Sequence, residues 1–164
     1  MKELPVRKPN RLKGYDYRRS GCYFVTICAK DRHEMLGTIT VGDGLAHPAS
    51  VELSEIGKIV DEEIKKIASH YEGVRVDEYV IMPNHIHAII IVDCSRGTRD
   101  GRARPLLGNI VGGLKSGVSR LCGFAFWQRS FHDRVIRNET EYIRIVEYIE
   151  NNPLFWQEDC FYPK

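Results

Sequence analysis

Two hydrophobic periods run along this chain, and the switches between them mark its elements. Cys22 to Ala29 is a β-branched and aromatic run after Ser20-Gly21, which predicts a first strand. Gly37 to Ser50 contains Gly42, Gly44 and Pro48 and predicts a short excursion or hairpin. Ser54 stands where a helix cap belongs, ahead of Ile56, Ile59, Val60, Ile64, Ile67 and Tyr71 on one helical stripe. Val74 to Met82 and Ile89 to Val92 read as strands, with Pro83-Asn84 as a tight turn between them. Cys94 to Pro105, rich in glycine and arginine, reads as a mobile linker.

The second half repeats the alternation. Leu107, Ile110, Val111, Leu114, Val118 and Leu121 fall at helical spacing within Leu106 to Cys122. Gly108, Gly112, Gly113 and Gly117 weaken that helix but allow close packing. Phe126 to Ile136 predicts a fourth strand. Asn138 caps a last helix, with Glu141 placed to reach back and Pro153 stopping it. The order β-α-β-β-α-β plus a helix predicts an α+β, ferredoxin-like split βαβ fold, an antiparallel sheet with helices on one face. No internal repeat or boundary interrupts it, so 1–164 is expected to be one domain.

Composition narrows the class. The 164 residues are 43% hydrophobic, enough for one sizeable core, and the net charge of +2 does not by itself imply a polyanionic partner. Its distribution says more. Lys2, Arg7, Lys8, Arg11, Lys13, Arg18 and Arg19 crowd the first twenty residues, and Arg96, Arg99, Arg102 and Arg104 share one loop. Acidic residues gather elsewhere, at Asp61 to Glu63 and from Glu139 to Glu150. A basic face for a polyanion and a pair of solvated tails both fit that asymmetry. Five cysteines without a Cys-x-x-Cys pair argue against a disulfide scaffold or zinc ribbon and for a reducing compartment. No signal-like or membrane-spanning apolar run is present, so a soluble cytoplasmic protein is expected.

Two constellations carry chemistry. In Asn84-His-Ile-His-Ala88, strand geometry projects His85 and His87 together and turns Ile86 and Ala88 the other way. Two imidazoles on rigid backbone are an incomplete metal site, or polar residues on a solvent face. On the last helix, Tyr142, Ile145, Val146 and Ile149 form the buried stripe. Tyr148 falls at its rim, with Asn152 one turn on and on the same side.

Three segments in order resemble a known family: Val80-Ile-Met-Pro-Asn-His-Ile-His-Ala-Ile-Ile90, His132-Asp-Arg-Val-Ile-Arg-Asn-Glu139, and Tyr148-Ile-Glu-Asn-Asn-Pro153. With Arg11-Leu-Lys-Gly-Tyr-Asp-Tyr17 leading into Gly21 to Cys28, they are similar to the single-tyrosine HUH transposases, especially the REP-associated tyrosine transposases. The resemblance implies an HUH nuclease fold whose C-terminal helix carries the nucleophilic Tyr148. It implies Mg2+ or Mn2+ held by His85, His87 and Asn152. It implies cleavage of hairpin-associated single-stranded DNA through a 5′-phosphotyrosine, followed by strand transfer, by a monomer or a homodimer.

Candidate phosphate contacts are Arg11, Lys13, Arg18, Arg19, Lys115 and Arg129, with Tyr15, Tyr17 and Trp127 as candidate base-stacking rings. His132 is a candidate general base by its position in the pattern. Two alternatives share these residues. One is a domesticated sequence-specific DNA-binding regulator without turnover, and the other a zinc enzyme or hydrolase that adds Asp93 or Cys94 to the histidines.

Overall fold

The computed structural model describes residues 20–40, 49–93 and 106–163. Its main sheet has strand β1 (Gly21–Cys28) at the centre, flanked by β5 (His85–Val92) and β6 (His132–Ile136), with β4 (Val74–Ile81) outside β5. Every neighbour in that sheet is antiparallel. Taken as a four-strand series, the spatial order is fourth, first, third, second, which is the split βαβ arrangement expected from the sequence. Strands β2 (Gly37–Thr40) and β3 (Ser50–Leu53) pair as a small second sheet, the expected excursion.

Helix α1 (Glu55–Lys65) starts where Ser54 Oγ accepts the Gly57 N–H at 3.1 Å. A short helix α2 (Ile67–His70) continues the stripe after a break at Lys66. Helix α3 (Leu107–Cys122) ends at Gly123, whose φ of 81° is the left-handed conformation that stops a helix. Val60, Ile64, Ile110, Val111 and Val118 pack with Tyr23, Val25, Ile27, Ile86 and Ile90 from one face of the sheet as the main core. The glycine reading of α3 holds at Gly113 and Gly117, where an added Cβ would meet the Tyr71 hydroxyl at 2.3 Å and Glu63 Oε2 at 2.8 Å. At Gly112 it does not, since nothing lies within 4 Å. Leu121 is also off the core and exposed.

Two further expectations change. The sheet is covered on both faces, because helix α4 (Glu139–Asn151) packs on the side away from α1 and α3. Its Ile145 and Ile149 join Ile89 and Ile136 in a second cluster, edged by Phe24, Val80, Ile91, Tyr142 and Val146. Each such isoleucine contributes about 1.5–3 kcal/mol when buried. The uninterrupted apolar run from Ile89 to Val92 is what a strand buried on both faces requires. The fourth strand is also shorter than Phe126 to Ile136, because Phe126 is buried in the main core and Trp127 makes only an isolated bridge to Ala29.

Helix α4 begins as the sequence predicts. Asn138 Oδ1 accepts the Glu141 N–H at 2.8 Å, and Glu141 Oε2 accepts the Arg137 N–H at 2.9 Å. A β-bulge in β4 between Val76 and Tyr79 lets Val74 and Val76, then Tyr79 and Ile81, all feed the main core. No helix among the described residues is long and apolar enough to cross a membrane.

Candidate metal and tyrosine site

Strand β5 starts directly after the Pro83-Asn84 turn, so its first residues are held at both the turn and the sheet. Ile86, fully buried, enters the main core, while His85 and His87 face the α4 side and are 0% and 1% exposed. The pair is therefore not a solvent-facing one. Burial disfavours the charged imidazolium. It lowers the His87 pKa to about 3, helped by the neighbouring His85, and it lowers that of His85 as well, against the pull of Asp159. Both rings are neutral at physiological pH, which is the form that ligates metal.

One ring nitrogen of each histidine is tied to a neighbour. Asn84 directs its Nδ2 at two carbonyls, those of Arg32 at 3.2 Å and Phe161 at 2.9 Å, so its Oδ1 faces His85 Nδ1 at 2.9 Å. That oxygen can only accept, so His85 carries its proton on Nδ1 and its lone pair on Nε2. Nε2 is buried and has no hydrogen-bond partner. His87 Nδ1 lies 2.9 Å from Thr26 Oγ1, an approach set by the direct β1–β5 pairing of Thr26 with His87.

The second constellation arrives from α4. The Tyr148 hydroxyl lies 3.2 Å from His87 Nε2 and 3.4 Å from Asp159 Oδ2, and the side chain keeps 43% exposure. Burial of the hydroxyl and the Asp159 carboxylate raise its pKa to about 12, so the resting phenol keeps its proton. Tyr142, six residues earlier on the same helix, instead donates its hydroxyl to Asp77 of β4. Asn152 closes the end of α4 and is buried to 3% exposure, deeper than the rim position read from the sequence. Its Nδ2 donates to Asp159 Oδ2 at 3.0 Å, while its Oδ1 is buried without a partner.

Asp159 is the residue that sequence reasoning missed. It lies beyond the helix and outside any periodic pattern, in a turn where its Oδ1 accepts the Phe161 N–H at 2.7 Å. Burial alone would raise its pKa, but that bond and the Asn152 amide hold the carboxyl below its ordinary value. Ligand atoms of His85, His87 and Asp159 all lie within 4.8 Å of one another. Trp156 and Phe161 pack their rings on His85, at 5.8 and 4.6 Å between centroids, and Phe24 stacks on His87 at 5.2 Å. Arg32 fastens this C-terminal turn by donating to the Cys160 carbonyl at 2.9 Å.

The donor set fits a divalent ion. Two neutral imidazoles and a carboxylate gather in one place, and the Asn152 amide is hydrogen-bonded to that carboxylate. Two of their atoms, His85 Nε2 and Asn152 Oδ1, are buried with nothing else to bond. Asp93 does not join them, because it follows the far end of β5, roughly 20 Å along the strand from His87. Cys94 lies outside the described residues, as do Arg11, Lys13, Arg18, Arg19, Tyr15, Tyr17 and the arginines of the 94–105 loop.

Of the other candidates, Lys115 donates to the carbonyls of Gln128, Arg129 and Ser130, which ties α3 to the segment before β6. Arg129 is exposed on that segment, Trp127 packs at the edge of the main core, and His132 is exposed at the start of β6.

No family model matches the chain. An uncharacterized protein of Haemophilus influenzae is 36% identical, over 95% of this chain and 93% of that protein. Among solved structures, a REP-associated tyrosine transposase bound to a REP hairpin superposes with a TM-score of 0.61. The match is 18% identical and covers 94% of this chain and 73% of that one. The chain belongs to the same family as the Haemophilus influenzae protein, and its fold is that of the REP-associated tyrosine transposase.

Proposed function

We propose that this protein is a metal-dependent single-strand DNA nuclease and strand transferase of the transposase type, with Tyr148 as its nucleophile. The observation that carries the reading is the approach of a partly exposed tyrosine hydroxyl to His87, one of two adjacent buried, neutral histidines. A binding-only regulator has no use for that arrangement.

The divalent ion, Mg2+ or Mn2+, would be held by His85, His87 and Asn152, and its chemistry is to polarise the scissile phosphate and offset charge developing on it. Tyr148 Oη forms a bond to phosphorus, the bond from phosphorus to the 3′ oxygen breaks, and the phenol proton ends on that departing oxygen. The result is a 5′-phosphotyrosine and a free 3′-OH. The linkage conserves the phosphodiester, so a second 3′-OH reverses the step and joins strands without ATP.

The substrate is single-stranded DNA beside a hairpin, an expectation supported by the REP hairpin bound to the structural relative. Arg11, Lys13, Arg18 and Arg19 would hold phosphates together with Arg129, on a segment that Lys115 braces. The acting form is a monomer or a homodimer in the cytoplasm.

Incubation with hairpin-bearing single strands should give a nick and a covalent protein–DNA adduct in Mg2+ or Mn2+, and neither in EDTA. Undiminished cleavage by the His85→Ala, His87→Ala double variant would sink the reading.

A further inference from the structure

We propose that Asp159, from the turn beyond α4, is a further side-chain ligand of the divalent ion held by His85, His87 and Asn152. The inference rests on the metal reading above and adds to it a residue that the resemblance does not supply.

Geometry is the first argument. Two ligand atoms bonded to one ion at about 2.1–2.2 Å are at most about 4.4 Å apart. The three side chains bring their ligand atoms within 4.8 Å of one another, so all three surround one ion-sized space. His85 Nε2 is the second, independent sign, being fully buried, fixed with its lone pair outward by Asn84, and without a partner.

Charge is the third. Two imidazoles and an amide bring no negative charge to a divalent ion, and a carboxylate brings one together with the hard oxygen donor that Mg2+ and Mn2+ favour. Asp159 can still give an electron pair. Its Oδ2 accepts from Asn152 Nδ2 and the Tyr148 hydroxyl, while its Oδ1 accepts from Phe161 N–H and keeps a second lone pair. Asn152 thereby aims the carboxylate while its own unpartnered Oδ1 remains for the ion.

A purely structural Asp159 would only close its turn, and the test separates the two roles. Mn2+ alone is titrated into the full chain without DNA, with folding followed by circular dichroism. The wild type should bind, the His85→Ala, His87→Ala double variant should not, and Asp159→Asn should bind at least roughly tenfold more weakly. That is the low end of what even a partner that merely orients a ligand is worth. Wild-type affinity in folded Asp159→Asn, with binding abolished in the histidine variant, would overturn this inference and leave the metal reading standing. No Mn2+ uptake by the wild type would overturn both. Whether or not Asp159→Asn folds, the wild type labelled with 13C at aspartate carboxyls separates direct ligation from mere orientation of Asn152. Pulsed electron paramagnetic resonance of its Mn2+ should detect a directly bonded carboxylate, and a spectrum without that coupling would overturn the assignment.

Discussion

The hydroxyl of Tyr148 stands 3.2 Å from His87 Nε2, an approach that joins helix α4 to strand β5 across 61 residues of sequence. It links two constellations that are separate in the sequence, and it depends on α4 crossing the sheet face that the histidines occupy. Tyr142 shares the helix, yet its hydroxyl is committed to Asp77. The two tyrosines therefore make opposite predictions.

Tyr148→Phe should abolish the covalent adduct while the protein still folds and binds DNA. Its stability loss in EDTA should stay near 1–2 kcal/mol, the cost of leaving His87 Nε2 short of a partner. Tyr142→Phe should lose about 1 kcal/mol with the Asp77 bond and keep the adduct. Peptide mapping that found the DNA on Tyr142, or on a serine, would overturn the assignment.

Much of the molecule is legible without coordinates. Caps at Ser54 and Asn138, the order of strands and helices, and the common face of His85 and His87 all follow from local rules, and the structure realises each of them. The placing of α4 departs from expectation, because a helix stripe says what it buries but not on which face of a sheet. Ile89 to Val92, apolar without alternation, holds the missing clue. The bulge in β4 has one too, since Val74 and Val76 shift phase to Tyr79 and Ile81. Aromatic β propensity assigns Trp127 to a strand, but the segment before β6 is held by Lys115 and by core burial of Phe126, not by a ladder. Asp159 has no such clue. Its position depends on a turn of backbone and one amide, and neither leaves a periodic mark.

Asn84 offers a prediction about orientation instead of ligation. It is buried, it fixes the proton of His85 on Nδ1, and it binds the carbonyls of Arg32 and Phe161. Asn84→Ala should weaken Mn2+ binding roughly 10- to 100-fold, as removing a ligand's supporting hydrogen bond does. It should also destabilise the fold by about 1–3 kcal/mol through the polar atoms left unpaired. Unaltered Mn2+ affinity would mean that the ring is held by Trp156 and Phe161 packing alone.

The N-terminal basic segment can be tested by its salt dependence. Neutralising Arg11, Lys13, Arg18 and Arg19 together should weaken single-strand binding and flatten the slope of log affinity against log salt, by roughly 0.7 for each phosphate no longer held. Fluorescence anisotropy with a labelled strand, from low to moderate salt, reads both quantities. A slope equal to that of the wild type would assign the segment to a solvated tail.

The buried imidazoles also make stability depend on pH, and the sign is fixed. In the unfolded chain each histidine titrates near its ordinary value of about 6.5. In the fold, burial lowers His87 to about 3 and lowers His85 too. Between those values the unfolded state binds more protons, so their stabilisation is fully present above about pH 6.5 and is lost as the pH falls toward the folded pKa values. Two such groups give a limiting slope of about 2.7 kcal/mol per pH unit. Urea unfolding in EDTA should therefore show stability falling steeply between pH 6 and pH 5. The ring signals of His85 and His87 should stay in the neutral form over that range in NMR spectra of the folded protein. Replacing both residues by glutamine should flatten the pH dependence. Imidazole signals that titrate near pH 6.5 in the folded chain would show that these rings are not sealed beneath α4.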